Sequence, residues 1–190
     1  MSTQARVFLT PEQYLEIERL AERKSEYRQG EMFAKAGAGE SHNLLVMNTA
    51  FQIFSQLRSS ACRTYSNDMR VRVSATALYT YPDIVVVCGV PQFLDGRRDT
   101  LLNPTLIVEV LSPSTEAYDR GRKFEHYQSI DSLQQYLLVA SERIHADLFT
   151  RKPGGQWLLT SAGSIEDAVD LESLGCRISL RDSYDKVEFS

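Results

Sequence analysis

No stretch of this chain approaches the ~20 apolar residues that a membrane-spanning helix needs, so no membrane segment is expected. The first residues, MSTQARVFLTPEQ, lack the charged-then-apolar order of a secretory leader, and the expected compartment is the cytoplasm. Cysteine is scarce: Cys62, Cys88 and Cys176 lie far apart, are odd in number and form no CxxC pair. Neither a zinc ribbon nor a disulfide framework is supported, and free thiols, buried or half-buried, are expected. Also missing are a P-loop, a Gly-rich dinucleotide turn and a nucleophile elbow, which argues against nucleotide kinase, dehydrogenase and serine-hydrolase chemistry. Nor is there an excess of positive charge. The net charge is −4 and the pI about 5.4, unlike a protein that coats DNA through a basic surface. A local basic patch beside an acidic cleft remains compatible with that balance.

What is present is the composition of an ordinary globular protein, with 43% hydrophobic and 24% charged residues. A length of 190 residues without repeats or linkers suits a single domain spanning 1–190. Thr10-Pro11-Glu12-Gln13 has the form of a capping box with proline at the first helical position, predicting a helix to about Arg23. Residues 26–34 alternate around Gly30 and predict a hairpin. From about Ser41 to Leu57, Leu44, Leu45, Met47, Phe51, Phe54 and Leu57 recur near helical spacing and predict a long helix with one buried face.

Strands follow. Met69, Val71 and Val73 alternate with Arg70, Arg72 and Ser74, as on a strand with one wet face. The runs Asp83–Cys88 and Leu106–Leu111 are almost continuously apolar and predict strands buried on both faces, as does Gln135–Ala140. A helix from about Glu116 to Ser129 and antiparallel strands towards the C-terminus complete the pattern. The order predicts an α/β fold with a mixed sheet flanked by helices and extra antiparallel strands at the C-terminal end.

Glu109 is the strongest anomaly. A carboxylate inside LIVEVL is costly to bury and needs a metal ion, a basic partner or a proton. Asp83 opens the neighbouring apolar run directly after Pro82, which suits a strand's entry. The two are 26 positions apart, enough for a strand, a turn and a return, so both carboxylates can meet at one cleft. Such oxygen ligands suit Mg²⁺ or Mn²⁺. Taken singly, Asp83 also reads as a strand-end cap and Glu109 as half of a buried salt bridge. Lys123 lies four residues after Asp119 on the following helix. The pair reads either as an i, i+4 salt bridge worth ~0.3 kcal/mol or as a lysine facing the cleft and steadying a phosphate or water. Arg58, Arg63, Arg70 and Arg72 read as solvated charge, with a basic edge for phosphates as the alternative.

Three stretches together carry a resemblance: Tyr81-Pro82-Asp83-Ile84-Val85-Val86-Val87, then Val108-Glu109-Val110-Leu111-Ser112-Pro113-Ser114-Thr115, then Tyr118-Asp119 through Lys123-Phe124 and Tyr127. They resemble the Uma-two family, described as restriction endonucleases of the PD-(D/E)XK nuclease superfamily. The likeness runs from Tyr27-Arg28-Gln29-Gly30-Glu31 to the C-terminal strands. It implies the restriction-endonuclease-like fold and a Mg²⁺-dependent (or Mn²⁺-dependent) endonuclease hydrolysing nucleic-acid phosphodiester bonds, with DNA as the expected substrate. It implies Asp83 and Glu109 as metal ligands, Glu31 and His42 as further polar site residues, and it admits a homodimer. The superfamily's lysine would fall two places after the motif glutamate, where Leu111 stands, so Lys123 from the next helix is the candidate for that role. Two rival readings are a non-catalytic module of nuclease fold binding DNA or a protein, and a metal-dependent hydrolase of a non-nucleic substrate.

Overall fold

The structure is a computed structural model that describes residues 8–35 and 37–189. It opens with helix α1 (Pro11–Glu18), whose capping box forms as the sequence predicts: Thr10 accepts from Gln13 N–H and the Gln13 side chain accepts from Thr10 N–H. α1 ends at Glu18, not near Arg23. Its last residue turns inward, and the Glu18 carboxylate takes both the amide and the hydroxyl of Ser25, which pulls the chain back into a strand. A hairpin of β1 (Ser25–Arg28) and β2 (Glu31–Ala34) follows. Its two-residue turn holds Gln29 and Gly30 at φ 51° and 89°, the left-handed pair that tight hairpins need.

Helix α2 (Glu40–Leu57) lies next. It buries Leu45, Val46, Thr49, Ile53 and Leu57, while Met47, Phe51 and Phe54 point outward, 68%, 67% and 54% exposed. The expected apolar face is therefore two faces. Residues 45, 49, 53 and 57 follow one i, i+4 row against the sheet, and the other apolar residues lie on the opposite side.

Among the described residues the strands form three sheets. One carries β1 and β2 with β4 (Arg70–Val73), β5 (Leu78–Thr80) and β7 (Thr100–Leu101), in the order β2-β1-β5-β4-β7. The central sheet holds β3 (Cys62–Ser66), β6 (Ile84–Cys88), β8 (Leu106–Leu111), β9 (Gln135–Ala140), β10 (Ala146–Arg151) and β11 (Trp157–Ala162), in the order β11-β10-β9-β8-β6-β3. It is mixed, as predicted: β8 and β9 run parallel and its other neighbours antiparallel. The third is the hairpin of β12 (Ala168–Leu171) and β13 (Cys176–Ser179), followed by the short helix α5 (Leu180–Ser183). Between β8 and β9 the chain forms α3 (Glu116–Tyr118), a π-helical turn over Asp119–Lys123, and α4 (Phe124–Gln128).

The central sheet is covered on both faces, which explains its unbroken apolar runs. Side chains of Ile84, Val86, Leu106, Val108 and Val110 pack against α2 and the C-terminal hairpin. Those of Val85, Val87, Ile107, Leu111 and Leu138 pack against Phe124 and Tyr127.

Two expectations are corrected here. β4 does not have a wet face at Arg70, which is 4% exposed. Its guanidinium donates to Tyr81 Oη (2.9 Å) and Thr100 Oγ1 (3.1 Å) and lies over the Tyr14 and Tyr81 rings, so a packed layer replaces solvent there. Cys62 and Cys88 are not free thiols but a disulfide. They stand directly opposite each other in the antiparallel β3–β6 register, so strand pairing closes a separation that looked too large in sequence. Cys176 is free and buried, as expected. Among the described residues no helix is long and apolar enough to cross a membrane.

Candidate active site

β6 and β8 pair antiparallel with Ile84 opposite Val108. One step further along this register sets Asp83 against Glu109, on the same sheet face, because cross-strand partners share a side. The Val110 amide donates to Asp83 Oδ2 at 2.9 Å and fixes the carboxylate at the strand's entry. Both residues are 3% exposed. Both line an open cleft of about 580 Å³, together with Glu26, Lys35, His42 and Lys123.

Leu111 shares the face of Glu109 and is buried in the core, so the lysine expected at that strand position has no counterpart there. Lys123 arrives instead from the π-helical turn that covers this face. Its Nζ lies 2.8 Å from Glu109 Oε1, 3.2 Å from Asp119 Oδ1 and 3.6 Å from Glu26 Oε1. Lys123 thus makes the i, i+4 pair, buried instead of at the surface, and also reaches the strand carboxylate at the cleft. Tyr127 Oη donates to the same Glu109 oxygen at 2.9 Å. His42, in the first turn of α2, sets Nε2 3.2 Å from Asp83 Oδ2, and its buried Nδ1 has no hydrogen-bond partner. Lys35 donates to the Tyr81 carbonyl at 2.7 Å and stands 3.5 Å from Asp83 Oδ1.

Of the residues singled out in the sequence, Asp83, Glu109, Lys123 and His42 come together in one cleft. Glu31 does not line it. In the β1–β2 register Glu31 sits opposite Arg28 beside the turn, whereas Glu26, opposite Phe33, lies two residues deeper and supplies the cleft's extra carboxylate. Sequence reasoning missed Glu26, Lys35 and Tyr127. Period-2 alternation places Glu26 and Glu31 on one face of the hairpin, but nothing local says which end of it meets the sheet.

Seven carboxylates (Glu26, Glu40, Asp83, Glu109, Asp119, Glu142 and Glu188) and two ammonium groups (Lys35 and Lys123) line this cleft, a formal excess of five negative charges, and Glu26, Glu109 and Asp119 crowd around Lys123. Burial pushes the Glu109 carboxyl up to about 8, opposed by the Lys123 ammonium and reinforced by Asp119 and Asp83. Lys123 is held well above its usual value: burial disfavours its charge, but Glu109, Tyr127, Glu26 and Asp119 outweigh that. The two tendencies compete, since Lys123 and Tyr127 both donate to Glu109 and favour it ionised. With three carboxylates around it, Lys123 is the group that keeps its charge. Asp83 is pulled below the ordinary carboxylate value despite its burial, because His42, Lys35 and the Val110 amide stabilise its anion.

Hard oxygen donors with excess negative charge fit a divalent cation. Among the described residues no three of His, Cys, Asp and Glu are grouped so as to hold a metal by protein ligands alone.

Residues 11–181 match the family model Uma2, described as "Putative restriction endonuclease". Two uncharacterized proteins of Synechocystis sp. (strain PCC 6803) are similar along most of their length. One is 34% identical over 183 residues, covering 95% of this chain and 94% of its own. The other is 36% identical over 152 residues, covering 80% and 86%. The crystal structure of a "putative nuclease" from Anabaena variabilis superimposes with a TM-score of 0.78 over 95% of this chain and 99% of that one, at 17% identity, and so shares the fold.

Proposed function

This chain belongs to the Uma2 family, and on that premise we propose that it is a divalent-metal-dependent endonuclease whose substrate is DNA. The observation that carries the proposal is the convergence of Asp83, Glu109 and Lys123 on one cleft, with Lys123 Nζ 2.8 Å from Glu109. Asp83 and Glu109 would hold Mg²⁺ or Mn²⁺, and Glu26 stands as a further acidic neighbour in the place expected of Glu31. A bound metal would supply Lewis-acid chemistry at the phosphate. The protein's own part is electrostatic and positional. Lys123 presents a fixed ammonium where charge develops on a phosphate oxygen or on the attacking water. Lys35 balances the charge of Asp83. His42 steers Asp83 through Nε2. The buried Tyr127 hydroxyl holds the Glu109 carboxylate in register with Asp83.

The test is incubation of the protein with supercoiled, linear and single-stranded DNA, and with RNA, plus Mg²⁺ or Mn²⁺, beside a Glu109→Gln control. Cleavage of DNA that stops in EDTA and in the control is the expected result. Cleavage of RNA alone would correct the substrate. Intact nucleic acid in every arm would overturn the endonuclease reading.

A further inference from the structure

α2 carries a second pattern that neither the core nor the cleft accounts for. Glu40, Leu44, Met47, Phe51, Phe54 and Arg58 are spaced by four, three, four, three and four residues. That is the heptad spacing that keeps one stripe of a helix turned towards a partner helix. At about 100° per residue the stripe lies opposite the buried row of Leu45, Thr49, Ile53 and Leu57. Its centre is open to solvent, with Met47, Phe51 and Phe54 all more than half exposed. Three such side chains in one row make an exposed apolar patch of the kind that marks interaction sites. The polar side chains along one flank are already engaged within the chain: Asn48, Gln52 and Gln56 bind backbone or side-chain groups of residues 177–185.

We infer that this stripe is the interface of a symmetric dimer, in which α2 packs antiparallel against α2 of a second copy of the chain. The inference does not depend on the nuclease reading. Charge decides the occupant. From Ser41 to Leu57 the helix has no Asp, Glu, Lys or Arg, and the stripe ends in Glu40 at the N-terminus and Arg58 at the C-terminus. A two-fold axis at position 49 brings Leu44 opposite Phe54 and Met47 opposite Phe51, and it sets Glu40 beside the partner's Arg58 at both ends. Every apolar member then meets an apolar one, and each charge meets its opposite, as an isologous interface requires. A parallel pair would set Glu40 against Glu40. A nucleic acid or an anionic membrane would want cations along the stripe, and there are none between its ends. The contact spans ~27 Å of helix axis. Glu40 also lines the cleft, so the partner's Arg58 would arrive at the rim of that acidic site.

Sedimentation velocity and light scattering on the full chain test this from ~1 to ~100 µM. The expected mass is twice the 21.5 kDa of one chain. Phe51→Glu should give monomers, with far-UV circular dichroism unchanged because the residue is exposed in the single chain, and with a melting temperature that no longer rises with protein concentration as the wild type's does. Phe51→Ser serves if the charged variant folds poorly. Glu40→Arg should weaken the dimer several-fold, and Arg58→Glu added to it should restore wild-type association, which only antiparallel pairing explains. A wild type that is monomeric throughout the range overturns the proposal and leaves the stripe to another protein. So does a dimer that survives both Phe51 variants, or a charge swap without rescue.

Discussion

One row of the central sheet carries two buried carboxylate centres. Glu109 pairs with Leu138, Leu138 with Asp147, and Asp147 with Ser161, while Asp83 flanks Glu109 at the other end. Both centres take a cation from the same π-helical turn: Lys123 reaches Glu109, and Arg120 reaches Asp147 at 2.5 Å. Yet their chemistry diverges. Asp147 accepts from Ser161 and Arg120 and lies 3.1 Å from His145, and despite the counter-effect of burial these neighbours draw its carboxyl below the usual range. With Glu116, Arg120 and Arg143 added, that cluster balances its charges. The Asp83–Glu109 centre has more carboxylates than ammonium groups and opens on a cleft. Burial of a carboxylate therefore does not by itself mark a site here. Uncompensated charge facing a cavity does.

The sharpest way to break this contrast is by activity. Asp83→Asn or Glu109→Gln should lower the rate of DNA cleavage by about a thousandfold or more, since on the proposed reading each removes a metal ligand. Asp147→Asn should leave the rate within about threefold, its carboxylate being engaged structurally. Nicking rates on supercoiled DNA measure both, and equal losses at the two ends of the row would mean that substitution merely disorders the sheet.

Metal and stability give the next effect. A divalent cation that binds only the folded cleft should stabilise the wild type by about 2.7 kcal/mol at a hundredfold excess over its dissociation constant. The Asp83→Asn/Glu109→Gln double variant should gain almost nothing. Asp147→Ala should start roughly 1–3 kcal/mol less stable, having orphaned the donors around it, and still show the full metal gain. Thermal unfolding in EDTA and in Mg²⁺ or Mn²⁺ reads all three, and equal metal shifts in the wild type and the double variant would move the ion elsewhere.

The two centres also predict opposite pH slopes in metal-free protein. Glu109 is raised from 4.5 to about 8, so the folded state binds its proton more tightly than the unfolded chain. Its contribution is full below about 4.5 and is lost as pH rises to about 8. Asp147 is lowered from 3.8, so its contribution is present above that value and is lost as pH falls through the folded value. Urea unfolding between pH 5 and pH 9, at about one-unit steps, should show wild type losing stability relative to Glu109→Gln as pH rises. Parallel curves would mean that Lys123 keeps Glu109 ionised throughout.

Much of this arrangement is legible in the chain. Glu109 inside LIVEVL and Asp83 before IVVVC stand out, because a carboxylate in an apolar run needs a metal ion, a basic partner or a proton. The bounds of β8 and β9 match the apolar runs that predict them. What the sequence hides depends on which elements meet. Glu26 and Glu31 are equivalent by alternation, and only the docking of the hairpin brings Glu26 into the cleft. Arg70 looks wet until a layer of tyrosines closes over it. Cys62 and Cys88 meet through strand register, and the two apolar faces of α2 merge into one at coarse helical spacing.

The smallest effect sharpens the comparison most finely, because it removes one outlying cation from each centre. Arg143 pairs with Glu116 at 3.3 Å with its side chain 55% exposed. Such a pair is screened by water, so Arg143→Ala should cost no more than about 0.5 kcal/mol and leave metal affinity unchanged. Lys35 stands 3.5 Å from Asp83 with its side chain 29% exposed, and there the ammonium occupies space that a metal on the same carboxylate oxygen would need. Lys35→Met should therefore have the opposite character: little change in metal-free stability, and divalent-cation affinity raised by up to about fivefold, the equivalent of a half-exposed ion pair. Isothermal titration with Mn²⁺ measures the affinities and urea unfolding the stabilities. If Lys35→Met weakens Mn²⁺ binding, Lys35 organises Asp83 for the metal instead of standing in for it. If Arg143→Ala changes Mn²⁺ binding as much as Lys35→Met does, the two centres of the row act as one electrostatic unit and the contrast between them fails.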